Sequence, residues 1–337
     1  MIEKINSIIS EAKSIVIIQP ENPDADSLAS SLALEELLGD QGKSVSLFCA
    51  IDMPKYLRYI DGWARVHNDW TGKYDLAIVV DTAAEALLVK ALETPGLRHF
   101  LETHKAIVLD HHGEGDEADN DLSFPHEFIL DPEAAATSEL IYRIASECDW
   151  TINERAATAM LISILGDTLG LSTPSVTIRT FETATELVRL GANPADIEQK
   201  RREYMRKPAD ILEYKGELIK RIEYYCDSRL ALVHIPWEDI ETYSDRYNPS
   251  VLVLDEMRLV DTVDIAIAIK TYPDKKLTGK IRSNIPIADS VAGYFGGGGH
   301  AYSAGFKIFE EYDSSLHELV KATDTILRDY DSTKHVN

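Results

Sequence analysis

Short, almost wholly apolar runs that stop abruptly on a carboxylate constrain this chain more than any other feature. Residues 74–80 are apolar nearly throughout, as a strand buried on both faces requires, and the run ends at Asp81 and Thr82. Ile15–Ile18 leads into Asn22, Pro23, Asp24 and Asp26, just ahead of an amphipathic stretch carrying Leu28, Leu32, Leu34 and Leu37. A third run ends in Asp110, His111 and His112, and the helical segment 156–165 is followed by Gly166, Asp167 and Thr168. Strands near 15–19, 44–50, 76–81 and 106–110, with another near 127–130, alternate with helical stretches, which predicts an α/β unit with a parallel sheet and helices on both faces.

In open α/β sheets the carboxyl ends of the strands are where ligands collect. Each acid alone has a simpler use as a helix N-cap, and His111 alone as a satisfied core histidine. Four capping accidents rarely supply five carboxylates and two imidazoles at the edges of one sheet, so the combination points to a metal site. A set rich in oxygen with one or two imidazoles suits Mn2+ or Mg2+ better than Zn2+, and a two-metal phosphoryl-transfer site follows.

Helical patterns dominate from Glu133 to about Cys226, including a periodic segment, Phe181–Leu190, that stops at Gly191. We place a first domain, which carries the Asp-His-His run, at 1–190, a helical linker at 191–210 and a smaller mixed-sheet α/β domain at 211–337. The basic stretch of Lys200, Arg201, Arg202, Arg206 and Lys207 reads as a solvated helix face. In the last domain Arg229–Ile235 reads as a strand, and 263–270 with 277–282 as a hairpin. A helix over Ile287–Phe295 then runs into Gly296, Gly297, Gly298 and Gly299. Glycines permit close backbone approach and positive φ, so their amides can converge on an anion, and Arg282 and His300 flank them.

Composition sets wider limits. A chain of 337 residues, 45% hydrophobic, is long enough for two cores. With 57 Asp and Glu against 34 Lys and Arg, its net charge of -23 disfavours nonspecific binding of long nucleic acid, and short substrates fit better. Cys49, Cys148 and Cys226 show no paired or metal-like spacing, so reduced thiols are expected. No run approaches the ~20 residues needed to span a bilayer, and the start lacks the basic and apolar regions of a signal peptide. A cytoplasmic protein that does not engage membranes is expected, with a homodimer as one option for its assembly.

Asn22–Asp26, Val80–Thr82, Asp110–His112 and Gly166–Thr168 resemble, in order, the four motifs of the DHH phosphoesterase superfamily. Gly296–Phe306 resembles the glycine-rich signature of the DHHA1 domain that accompanies it, and the lengths are most similar to the oligoribonuclease and pAp phosphatase branch, the NanoRNase A type. The resemblance implies two Mn2+ ions, with Mg2+ as a substitute: one held by Asp24 and Asp81, the other by Asp26, Asp81, His111 and Asp167. It also implies that Asp81 is catalytic as a shared ligand and that His112 holds a phosphate oxygen or helps protonate the leaving group. Arg282, Gly297, Gly298, Gly299 and His300 would then bind substrate.

The implied activity is hydrolysis of short oligoribonucleotides or pAp, with cyclic or linear dinucleotides as the alternative. A manganese pyrophosphatase shares the metal motifs, but the glycine-rich segment disfavours it. One departure stands out. The family pattern has a histidine ligand four residues before the first Asp of its D-x-D pair, and here that position is Pro20, preceded by Gln19. Loss of that imidazole opens a further reading, a weakly active nucleotide sensor.

Overall fold

The computed structural model describes residues 1–113, 120–244 and 247–334, apart from the side chains of His300 and Lys334. The chain divides into two compact units, Met1–Arg206 and Lys207–Asn337.

In the first unit the strands are β1 (Ser14–Ile18), β2 (Ser44–Phe48), β3 (Val66–His67), β4 (Leu76–Val80), β5 (Lys105–Asp110) and β6 (Glu127–Leu130). Its helices are α1 (Ile2–Glu11), α2 (Ala25–Asp40), α3 (Val89–Glu93), α4 (Leu97–Thr103), α5 (Thr137–Glu147), α6 (Glu154–Asp167), α7 (Ile178–Arg189) and α8 (Pro194–Tyr204). The strand order is β3-β2-β1-β4-β5-β6, every pairing parallel. Chain order therefore reverses between β1 and β4, the switch point at which open α/β sheets open a crevice beyond their carboxyl ends.

Pleat alternation divides the core. Ile15, Ile17, Ile78 and Val80 pack against α1, α2, α5 and α6, while Val16, Ile18, Ala77 and Val79 pack against α3 and α4. Every residue of β4 is buried, which explains its unbroken apolar sequence. Truncating Ile78 to Ala would cost about 2–5 kcal/mol through lost burial and the cavity left behind.

Residues 191–206, read from the sequence as linker, fold into the first unit, because Ala192 and Ile197 bury into its core. The basic run beyond them is paired surface: Arg201 and Arg202 meet Glu198, and Lys200 meets Asp61. The helical zone ends at Lys220 rather than Cys226, where the β-prone Glu223–Tyr225 forms an edge strand.

The second unit comprises α9 (Ala209–Lys220), β7 (Glu223–Tyr225), β8 (Leu230–Ile235), α10 (Trp237–Tyr243), α11 (Leu254–Arg258), β9 (Ile265–Thr271), β10 (Lys276–Ser283), α12 (Ala288–Tyr294), β11 (Gly298–His300), β12 (Ser303–Phe309) and α13 (Tyr312–Lys334). Its sheet runs β11-β12-β10-β9-β8-β7, mixed because β8 and β9 alone are parallel neighbours. It has six strands, as many as the first sheet; the unit is smaller only in chain length. No helix among the described residues is long and apolar enough to cross a membrane.

Candidate functional site

The acids converge at the switch point of the first sheet. Asp26 lies in the first turn of α2, where the helix dipole favours negative charge, and is 1% exposed. Its Oδ1 accepts hydrogen bonds from Ser30 Oγ at 2.9 Å and Ser163 Oγ at 2.5 Å, and its Oδ2 accepts from the Thr137 amide at 2.8 Å. Asp81 follows β4 with φ 64°, a left-handed backbone that a non-glycine residue seldom adopts and that clusters at functional sites. Thr137 Oγ1 donates to its Oδ1 at 3.1 Å. Asp167 is the last residue of α6, not on a following turn. A Cβ on Gly166 would come within 2.6 Å of Ala25 Cβ, so glycine lets this end of α6 approach the start of α2.

His111 ties the set together. Its Nδ1 donates to the Ala134 carbonyl at 3.1 Å, which fixes the tautomer and leaves Nε2 as a lone-pair donor. That Nε2 is buried without a hydrogen-bond partner, 3.3 Å from Asp26 Oδ2, 3.6 Å from Asp81 Oδ1 and 3.8 Å from Asp167 Oδ2. These gaps are long for hydrogen bonds, but ligands about 2.1 Å from one octahedral ion stand about 3 to 4.2 Å apart. His112 is more exposed, and Asp110 Oδ1 accepts from its Nδ1 at 2.8 Å and from both histidine amides.

Electrostatics presses the same way. Burial and the Asp26 charge hold Asp81 well above the usual carboxylate range and push Asp167 up to about 6. Burial would also raise Asp26, yet the nearby His111 imidazole and hydrogen bonds from Ser163 and Thr137 hold it below that range. Burial disfavours charge on His111, but Asp26 and Asp81 outweigh it and drive the imidazole up to about 12. A proton on His111 and a divalent cation would satisfy the same lone pairs, so cation binding should release protons.

Asp24 plays another visible part: it is the N-cap of α2, in a capping box with Ser27. Asp81 groups with His111 and His112, and Asp26 with His111 and Asp167, as potential ligand sets; Asp24 joins neither. Gln19 extends β1 through its amide bond to the Phe48 carbonyl and shares a pleat face with Ile15, Ile17 and Cys49, the face that α2 and α6 cover. It is 1% exposed, and neither side-chain amide atom has a hydrogen-bond partner.

Sequence reasoning missed the segment that frames the site, 131–139. Glu139, 2% exposed, accepts from the Ala135 amide at 2.9 Å and Arg179 Nε at 2.7 Å, while Arg143 and Arg179 both pair with Asp131. This network fixes the Ala134 carbonyl and Thr137. An acid within the apolar stretch Ala134–Ile141 was the available signal.

In the second unit Arg282 lies on β10, half-buried; Gly296 and Gly297 form the turn from α12 into β11, and Gly298 and Gly299 lie in β11. The Gly296 and Gly297 amides bond to the Gly293 and Ala292 carbonyls. A Cβ on Gly297 would come within 2.2 Å of the Gly305 carbonyl and one on Gly299 within 2.6 Å of Ala304, so close packing against β12 requires both glycines. Gly298 has open space around it, and the side chain of His300 lies outside the described residues.

Fold and site define the class: residues 14–164 match the model of the DHH family, N-terminal domain, and the first unit belongs to that family. The chain is 23% identical over 321 residues to the bifunctional oligoribonuclease and PAP phosphatase NrnA of Bacillus subtilis, covering 92% of this chain and 95% of that protein. To the protein of the same name from Thermus thermophilus it is 24% identical, covering 86% of this chain and 83% of that one. Among solved structures, an exopolyphosphatase-related protein from Bacteroides fragilis matches with a TM-score of 0.82 at 21% identity, over 98% of this chain and 96% of that one.

Proposed function

We propose that this chain is a metal-dependent phosphoesterase that hydrolyses small nucleotides, first among them short oligoribonucleotides and pAp. The observation that carries the reading is His111 Nε2, buried and unpartnered among three carboxylates with its tautomer already fixed. Asp26, Asp167 and His111 fit one cation, with Asp81 Oδ1 3.6 Å from the same imidazole nitrogen, and an oxygen-rich set with a single imidazole matches Mn2+ or Mg2+. For a second cation the resemblance offers Asp24 and Asp81, and Gln19, next to Pro20 in sequence, carries a buried side-chain amide without a hydrogen-bond partner.

Cations held there would neutralise charge developing on the phosphate oxygens and acidify the attacking water. The protein groups do the rest. His112, oriented by Asp110, offers an exposed imidazole to a phosphate oxygen or leaving group. From the second unit Arg282, with no carboxylate partner among the described residues, offers a planar fork for a substrate phosphate. Linear or cyclic dinucleotides are the alternative substrates. Pro20 favours a second reading, a nucleotide-binding module with one cation and little turnover.

The test is Mn2+-dependent hydrolysis of a 5′-labelled RNA dinucleotide beside pAp, cyclic di-AMP and pyrophosphate. Turnover of the dinucleotide or pAp supports the reading; pyrophosphate cleavage alone, or tight nucleotide binding without turnover, overturns it.

A further inference from the structure

Three buried hydroxyls gather on the Oδ1 side of Asp26, and the chemistry proposed above makes no use of them. Ser30 on α2, Ser138 on α5 and Ser163 on α6 are each 0% exposed. Each of these helices brings one group to the candidate ligands and one serine beside it. On α2 the two are Asp26 and Ser30, and on α6 Asp167 and Ser163, in both cases one turn apart on a single helix face. On α5 they are Thr137, whose amide bonds to Asp26 and whose hydroxyl bonds to Asp81, and the adjacent Ser138.

A buried serine inside a helix ordinarily turns its hydroxyl back on a carbonyl of the preceding turn, as Ser31 does to Ser27 at 2.8 Å. Ser30 and Ser163 instead donate to Asp26 Oδ1, at 2.9 Å and 2.5 Å. A hydroxyl carries one proton. With that of Ser30 directed to Asp26, Ser138, whose oxygen lies 2.7 Å from that of Ser30, is the donor between the two. An ionised carboxylate offers about four lone pairs. Both on Oδ1 are occupied by serines, and one on Oδ2 by the Thr137 amide at 2.8 Å. What is left is a lone pair on Oδ2, the oxygen that stands 3.3 Å from His111 Nε2.

We propose that Ser30, Ser163 and, through Ser30, Ser138 are positioning residues that hold Asp26 to one-point coordination and so select a small octahedral cation over Ca2+. Ca2+ binds about 6–8 oxygens at about 2.3–2.6 Å and readily takes both oxygens of one carboxylate, whereas Mg2+ demands a near-ideal octahedron at about 2.0–2.1 Å. Asp26 can offer a second oxygen only by breaking two charge-assisted hydrogen bonds where bulk water does not reach to replace them. The serines therefore penalise the ion that needs the extra oxygen. The proposal rests on the divalent-cation reading of the site and adds to it the basis of its choice of ion.

Calorimetric titration of Mn2+ and, separately, of Ca2+ into the full chain gives the ratio of the two affinities at the tighter site. It is measured for the unmodified protein, Ser163→Ala, Ser138→Ala and Ser30→Ala/Ser163→Ala. Ser31→Ala, which removes an equally buried hydroxyl bonded only to backbone, is the control. In the double variant Oδ1 becomes a second oxygen for Ca2+ while the fixed aim of Oδ2 is lost to the smaller ion. Mn2+ affinity should fall by about 10–100-fold and Ca2+ affinity should hold or rise, so the ratio contracts by about tenfold or more. Ser163→Ala should contract it by less, Ser138→Ala by least, and Ser31→Ala should leave it unchanged. If the double variant does not fold, Ser163→Ala alone decides.

An unchanged ratio in Ser163→Ala and the double variant, with Mn2+ still bound, would overturn the role of the serines and leave the cation site standing. Equal losses for both ions would also overturn it, reducing the hydroxyls to solvation of Asp26 and helix packing, as would a contraction shared by Ser31→Ala. If the unmodified protein bound neither ion saturably, site and selectivity would fall together. A ratio that contracts as expected, in a protein that cleaves no nucleotide in Mn2+, would leave the serines in their role and sink the hydrolase reading instead.

Discussion

The acidic tip of the first sheet and the basic strand β10 of the second treat buried charge in different ways. At the tip, buried carboxylates are held individually by hydroxyls, amides and an imidazole: Asp26 alone accepts from Ser30, Ser163 and Thr137. On β10, Lys280 and Arg282 are half-buried with no carboxylate partner among the described residues. The tip is thus built to hold ligands in fixed positions, as chemistry demands; β10 leaves Arg282 uncommitted, as the phosphate contact proposed for it requires.

The largest break in that comparison would come from Asp81. Asp81→Ala should abolish hydrolysis, by roughly 10³-fold or more, with circular dichroism unchanged. Asp81→Asn, which tolerates the left-handed backbone at φ 64°, separates lost charge from lost geometry and should be comparably inactive. Turnover like that of the unmodified protein in either variant would remove Asp81 from the chemistry.

Next in size, Glu139→Gln should weaken Mn2+ affinity by about 10–100-fold, because it loosens the segment carrying the Ala134 carbonyl and Thr137 without touching a ligand. Calorimetric titration reads this directly, and an unchanged affinity would mean that the Arg179 network serves folding alone. Pro20→His is expected to raise activity several-fold at limiting Mn2+ and little at saturation; identical Mn2+ dependence would show that this position needs no imidazole.

The smallest effect concerns pH. Asp167, with a folded pKa of about 6 against about 3.9 in an unfolded chain, holds its proton more tightly when folded. Its contribution to stability is therefore present at low pH and lost as pH rises from about 4 through 6. In EDTA, Asp167→Asn should remove that loss, about 2–3 kcal/mol, and so melt several degrees higher than the unmodified protein at pH 7.5 but not at pH 4.5. A difference that does not vary with pH would exclude this carboxyl as its source.

The strand ends were legible because a central parallel strand must be apolar along its length, so that Asp81 and Asp110 stand out where β4 and β5 stop. Asp24 was legible twice over, as cap and as ligand, and the capping box with Ser27 is the use that the geometry displays. Glu139 and Gln19 were hidden because their meaning lies in partners distant in sequence: Arg179 for one, the covering helices α2 and α6 for the other. In the second unit the hairpin strand near 277–282 was legible, whereas β12, which pairs with β10, was not.

The central claim is that the switch point of the first sheet is a divalent-cation site organised by His111. Calorimetric titration of Mn2+ into the full chain and into His111→Ala tests it most directly. The account predicts two saturable sites in the unmodified protein, with proton release, and loss of the tighter one in the variant; identical isotherms for the two proteins would contradict it.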